Sequence, residues 1–278
     1  MPKGRSSPEH INFISLLEPL MINGRPLFLV CNDDGVHAPG IRILAETFRS
    51  IGDVLIVAPH VERSATSHSL SIHTPLRIEE IEPSIYAVEG TPADCVLVAC
   101  RKLLTRKPNW VLSGINRGAN LGVDTLYSGT VAAALEGYLH GIPSIAVSCV
   151  GRPRESYHYE TAAHVVRSIV LEAEKYSDAL KLGVLSVNVP SCPLEELKGL
   201  RVGNLGKRLY DEHLQEGVDP RGRPYYWIGG GGDVFADLEG SDCTLVNDGY
   251  ASVSVLSPSL LNTNANQDLK HRLEGPNK

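Results

Sequence analysis

Between Pro26 and Asn188 the chain repeats one pattern: a short uninterrupted apolar run, then a stretch with apolar residues three and four apart. A strand apolar on both sides must be covered on both sides, and a parallel sheet between layers of helix does this. The apolar runs are Leu27–Cys31, Val54–Ala58, Trp110–Ile115, Ile142–Ser148 and Gly183–Val189, with shorter strands expected at Arg77–Ile81 and Ile85–Val88. Helical spacing covers Pro39–Ile51, Thr130–Leu139 and Tyr159–Tyr176, with Pro39 placed to start the first and Gly52 to stop it. A further helix is expected after Gly90, with Thr91 as its cap, Pro92 in its first turn and Asp94 positioned to close a capping box. The fold predicted is therefore α/β: a Rossmann-like, mostly parallel sheet with helices on both faces.

After Pro190 the character changes. Residues 199–256 are rich in glycine, tyrosine and short alternating runs such as Tyr225-Tyr226-Trp227-Ile228 and Ala251–Val255. They predict a C-terminal extension of β-hairpins projecting from the core, with Gly229–Gly232 as a turn. The expected division is 1–24 as an N-terminal extension, 25–190 as the α/β catalytic core, 191–258 as a hairpin arm and oligomerisation region, and 259–278 as a polar tail.

Composition removes several classes of function. The formal net charge is -6, so no general basic field exists to hold nucleic acid. The cluster Arg101, Lys102, Arg106, Lys107 reads as a solvated helix end. No segment is long and apolar enough to span a membrane, and the start lacks a signal-peptide pattern. The six cysteines form no C-x-x-C pair and lie mostly in apolar stretches, as in a cytoplasmic protein. There is no G-x-G-x-x-G after the first strand and no G-x-S-x-G elbow. Gly206-Lys207 imitates the end of a P-loop, but Arg201 replaces the first glycine and Arg208 the Ser or Thr.

In parallel sheets ligands bind beyond the carboxyl ends of the strands. Three segments there carry chemistry. Asn32-Asp33-Asp34-Gly35 follows the first strand; adjacent carboxylates repel unless a cation lies between them, and oxygen ligands select a hard one. As an ordinary turn the same four residues would also be at home. His60–Ser69 offers hydroxyls and Arg63, suited to a metal or a phosphate or simply to a surface loop. Ser113–Gly122 leads to Ser128-Gly129-Thr130, where a helix N-terminus can seat a phosphate or merely be capped. Together these segments bring carboxylates, hydroxyls, amides and arginines to one sheet edge, the equipment of metal-assisted phosphoryl transfer.

The strings Asn32–Gly35, Ala58-Pro59 with Glu62–Ala65, Gly90–Cys95, Ser113–Gly118 with Asn120, and Ser128–Val131 resemble the SurE family of 5'- and 3'-nucleotidases, with looser matches at Asn188-Val189-Pro190 and Gly249-Tyr250. The resemblance runs over roughly residues 25–256. It implies one divalent cation per subunit, magnesium or manganese, held by Asp33, Asp34, Ser64 and Asn116, with Asn120, Ser128, Gly129 and Thr130 lining the phosphate pocket. It also implies a homodimer or homotetramer whose hairpins reach a neighbour, and nucleoside monophosphates as substrates, with short polyphosphate as a further substrate of some members. Gly90–Cys95 matches the family but reads as a structural helix start. The chain departs from the pattern at Thr66-Ser67-His68, Gly229–Gly232 and Ser241-Asp242-Cys243.

The expected reaction is direct attack of water with Asp33 or Asp34 accepting its proton; an aspartyl-phosphate on Asp33 is the rival. An exopolyphosphatase and a nucleotide-binding module without turnover are the alternative functions. The paired aspartates weigh against the latter, since a pure phosphate binder gains nothing from two carboxylates.

Overall fold

The computed structural model describes residues 24–152, 156–209, 214–228, 234–236, 238–259, 270 and 272. The expected N-terminal extension, the Gly229–Gly232 turn and most of the tail lie outside them. In chain order the strands and α-helices are β1 (Leu27–Cys31), α1 (Pro39–Arg49), β2 (Asp53–Pro59), β3 (Ile78–Glu82), β4 (Ile85–Val88), α2 (Pro92–Val98), β5 (Trp110–Arg117), α3 (Gly129–Leu139), β6 (Ser144–Val150), α4 (Tyr159–Leu171), α5 (Ser177–Leu182), β7 (Val184–Pro190), β8 (Leu200–Val202), β9 (Arg208–Leu209), β10 (Leu214–Val218), β11 (Pro224–Ile228), β12 (Val234–Phe235), α6 (Asp242–Asn247) and β13 (Ala251–Leu256).

The main sheet has the order β3-β4-β2-β1-β5-β6-β7-β13-β8. The pairs from β4 through β7 are all parallel. Because side chains alternate along a strand, β1 sends Phe28 and Val30 into one core and Leu29 and Cys31 into another. The first core is roofed by α1 and α4 through residues such as Ile41, Leu44, Phe48, Val166 and Ile169. The second contains Cys95 and Val96 of α2 and Ala133 of α3. Helix α1 approaches so closely that a Cβ on Gly40 would lie 2.1 Å from the carbonyl oxygen of Ile115 in β5.

The chain leaves β1 toward β2 on one side and returns to β5 on the other. Strand order therefore reverses between β1 and β5, and the loops after these two strands diverge to leave a crevice at their carboxyl ends. Asp33 and Asp34 follow β1, and Asn116 lies near the end of β5.

The capping box forms as read: Thr91 Oγ1 accepts from Asp94 N–H at 3.1 Å and Asp94 Oδ2 accepts from Thr91 N–H at 2.9 Å. Three expectations need correction. Strand β3 is displaced one residue, to Ile78–Glu82. The helix expected to run to Tyr176 ends at Leu171, followed by a tight turn and the separate helix α5. The run at Ala251–Val255 does not project: β13 lies in the main sheet, antiparallel to β7 and parallel to β8. Its partners are distant in sequence, and alternation names a strand without naming the sheet it joins. Strands β10 and β11 do form an antiparallel hairpin, with Tyr226, Trp227 and Ile228 exposed. No helix among the described residues is long and apolar enough to cross a membrane.

Candidate active site

The β1 run ends in a closed turn. Asn32 Nδ2 donates to Gly35 O at 2.9 Å and Asn32 Oδ1 accepts from Gly35 N–H at 3.2 Å, with Gly35 at φ +99° as an L side chain rarely allows. This fixes the two intervening aspartates. Asp33 is only 4% exposed. Its Oδ2 accepts from Thr130 N–H at 3.0 Å, and its Oδ1 accepts a short bond from the Thr130 hydroxyl. Asp34 Oδ2 accepts from the backbone N–H of Arg117 at 3.0 Å, which joins the first loop to the third. Gly129 is the close-approach residue: a Cβ there would meet Asp33 Cβ at 2.8 Å.

These contacts do not neutralise the carboxylates. Burial pushes Asp33 up despite the Thr130 hydrogen bonds, and the charge of Glu62 adds to the effect. Asp34 is pushed up to about 6, first by burial and then by the charge of Asp33; the Arg117 N–H opposes this, Glu62 adds to it, and the Arg117 charge opposes it more weakly. An acidic pair held in this state, one member buried and the other half-buried, is what a cation relieves. Among the described residues no three His, Cys, Asp or Glu side chains gather into a metal-holding group. The two carboxylates offer oxygen alone, which fits a hard divalent ion that keeps several waters.

The other expected residues are placed as follows. Ser64 lies on an exposed loop and its hydroxyl donates to Glu62 Oε1 at 2.7 Å. That loop is fastened to the site, because Arg63 N–H donates to Asp33 O at 2.7 Å and Ser67 Oγ donates to Leu126 O at 2.7 Å. His68 adds a 2.9 Å contact to Glu136 on α3, whose carboxyl is lowered chiefly by that bond. Asn116 sits past a register shift between β5 and β6 that re-aims the strand end; its Nδ2 donates to Gly118 O at 3.0 Å, which commits the nitrogen and not the carbonyl oxygen. Ser128 caps α3, its Oγ accepting from Val131 N–H at 3.0 Å. With Thr130 N–H donating to Asp33 and Val131 N–H to Ser128, Gly129 contributes the first-turn N–H that these bonds do not use.

Asn120 is almost fully buried, and its Nδ2 donates to Ser148 Oγ at 2.8 Å. Its backbone is held from both sides by Asn188 of β7: Asn120 N–H donates to Asn188 Oδ1 at 2.9 Å, and Asn188 Nδ2 donates to Asn120 O at 3.0 Å.

The chain matches the family model described as Survival protein SurE over residues 28–212. The chain belongs to the SurE family. A protein named 5'-nucleotidase SurE from Geobacter metallireducens is 48% identical over 234 residues, covering 84% of this chain and 92% of its own length. Its namesake from Geobacter sulfurreducens is 50% identical over 236 residues, covering 84% and 88%. The crystal structure of a SurE protein from Aquifex aeolicus superposes with a TM-score of 0.77 at 42% identity, covering 89% of this chain and 99% of that one.

Two residues of this SurE chain gain importance only from the structure. Asp242, noted in the sequence as a departure from the SurE pattern, is 1% exposed, and its carboxylate accepts from Gly122 N–H at 2.8 Å, Gly206 N–H at 2.7 Å and Cys243 N–H at 2.8 Å. It clamps the site loop to the C-terminal region. Asn188 is the second; its Asn-Val-Pro string marked it in sequence, but its partner was not legible.

Proposed function

We propose that this chain is a divalent-metal-dependent phosphatase that hydrolyses nucleoside 5'-monophosphates, and 3'-monophosphates, to nucleoside and phosphate. The observation that carries the reading is the Asp33–Asp34 pair, one buried and one half-buried, at the strand-order reversal against the start of α3. Membership of a family whose relatives are named 5'-nucleotidase supports the choice of substrate.

Asp33, Asp34, Ser64 and Asn116 would hold one cation, magnesium or manganese. When bound, it supplies positive charge that polarises the phosphate and acidifies water. The protein's own groups do the rest. Thr130 keeps Asp33 from swinging, and the Arg117 N–H does the same for Asp34. Asn120, Ser128 and the Gly129 N–H line the phosphate seat, with Asn120 pinned by Asn188. Asp33 spends both carboxylate oxygens on Thr130, which leaves Asp34 to accept the proton of the attacking water.

All six cysteines are unpaired, which supports work in the cytoplasm. The exposed apolar hairpin of β10 and β11 supports assembly into a homodimer or homotetramer, since a lone two-stranded ribbon is marginal in water.

The test is phosphate release from a panel of nucleoside monophosphates and short polyphosphate, after chelation and after adding back magnesium or manganese. Activity should vanish with chelator and return with metal, and be higher on AMP or GMP than on polyphosphate. Release that ignores chelation, or is confined to polyphosphate, would sink the reading. A second expectation concerns Asn188→Ala. Loss of both hydrogen bonds to Asn120 should lower kcat/KM on AMP by about tenfold. Steady-state kinetics of the folded variant checks this, and unchanged kinetics would remove Asn120 from the phosphate seat.

A further inference from the structure

A cleft of about 320 Å³ opens beside the acidic pair, with Asp34 in its wall. Its other walls are Glu62, Arg117, Tyr157, Tyr159 and the start of α1. The guanidinium of Arg117 lies over the Tyr157 ring, 5.2 Å from its centroid. Tyr157 is in turn stacked beside Tyr159, with centroids 5.6 Å apart and planes 19° from parallel. The Tyr157 ring is fixed before any ligand arrives. Its hydroxyl donates to Gly151 O at 3.3 Å, and its neighbour His158 N–H donates to Ser191 Oγ at 3.0 Å. A Cβ on Gly151 would stand 3.1 Å from Tyr157 Cε1, so glycine lets the ring pack flush. Tyr159 is 7% exposed, whereas Arg117 is exposed.

The layered order is thus buried phenol, half-buried phenol, exposed guanidinium. A planar cation backed by an aromatic ring is a stacking platform for a nucleobase. The charge of Glu62 in the same cleft argues against a second phosphate there. Resting on the nucleotidase reading, we infer that this cleft is the nucleobase seat, with the base stacked on the Arg117 guanidinium and Tyr157 holding that guanidinium flat. The Arg117 backbone meanwhile holds Asp34, so one residue joins the base end of the site to the acidic end.

The experiment compares AMP with ribose 5-phosphate, which carries the same 5'-phosphate on its sugar and no base. The metal-loaded full chain is assayed as wild type, Tyr157→Ala, Tyr157→Leu, Tyr157→Phe and Arg117→Ala. The ratio of kcat/KM for AMP to that for ribose 5-phosphate is expected to fall about tenfold in Tyr157→Ala, Tyr157→Leu and Arg117→Ala, mainly through KM for AMP. Leucine keeps the bulk and loses the aromatic face, which guards against mere loss of packing. Phenylalanine keeps the face and should restore the ratio to within about twofold of wild type. A ratio unchanged in the alanine and leucine variants, or a parallel loss on both substrates, overturns the assignment while leaving the nucleotidase reading intact. A folded, metal-loaded wild type that hydrolyses neither substrate overturns the nucleotidase reading and the assignment with it.

Discussion

Asp34→Asn is expected to lower phosphate release from AMP on the order of a thousandfold and, in the same protein, to raise the melting temperature of the metal-free form at pH 8. The two effects share a cause. Asp34 titrates at about 6 in the folded chain against an ordinary value of 3.8, because burial and the charge of Asp33 oppose its ionisation. Below about pH 4 both folded and unfolded chains keep the proton and there is no differential effect. Between about pH 4 and 6 the unfolded chain releases it while the folded chain holds it, so stability falls as pH rises, and the full loss is present above the folded value. Asparagine has nothing to ionise, and its carbonyl can still accept the Arg117 N–H. Thermal melts in chelator should therefore coincide near pH 4 and separate by a few degrees at pH 8, the variant being the more stable. Added magnesium or manganese should reverse the order, because only the wild type keeps both carboxylates to bind it. A variant less stable than wild type in chelator at pH 8 would mean that the pair is not strained by its own charge.

Gly40→Ala should be among the most damaging single-methyl changes in the molecule. Alanine is the better helix former, so propensity alone predicts a gain. The new methyl would instead stand 2.1 Å from the carbonyl oxygen of Ile115 and 3.1 Å from its carbonyl carbon. These are backbone atoms of a buried central strand, which cannot rotate away, so α1 must lift from β5. The expected cost is about 2–3 kcal/mol, or roughly 5–10 °C in melting temperature. Activity at permissive temperature should fall as well, since Ile115 immediately precedes Asn116 and the cleft takes Ala38 and Pro39 from the start of α1. Glu46→Ala on the exposed face of the same helix is the control and should change stability by no more than about 0.5 kcal/mol. Equal melting temperatures for Gly40→Ala and wild type would refute the close contact.

How far the sequence could be read follows from how local each signal is. The apolar runs of β1, β2 and β5, the proline that opens α1 and the Thr91–Asp94 box are written in consecutive residues, and each forms where expected. Asp33 and Asp34 were legible because two acids directly after a buried run are costly without a purpose. What stayed hidden depends on contacts across long stretches of chain. Thr130 looked like part of a phosphate cradle, yet its hydroxyl and N–H both go to Asp33, 97 residues away. Arg117 and Tyr157 are unremarkable in their own segments and become a platform only when β5 and the start of α4 are side by side. Helix α6 is six residues long, too short for periodicity to speak, and only its Ser241 cap was available as a signal.

The clamp made by Asp242 bears on the order in which a newly made chain can complete its fold. Its carboxylate reaches back 120 residues to Gly122, at the entrance to the turn that leads into α3. Strand β13, which follows α6, fills the gap between β7 and β8 and so belongs to the sheet's interior. A nascent chain emerging from the ribosome can lay down β1 through β7, acids included, and still lack both the bolt on its substrate loop and the last wall of the sheet beneath Asn188. The Gly122–Asp242 bond and the strand between β7 and β8 are thus complete only once residues near 256 have been translated.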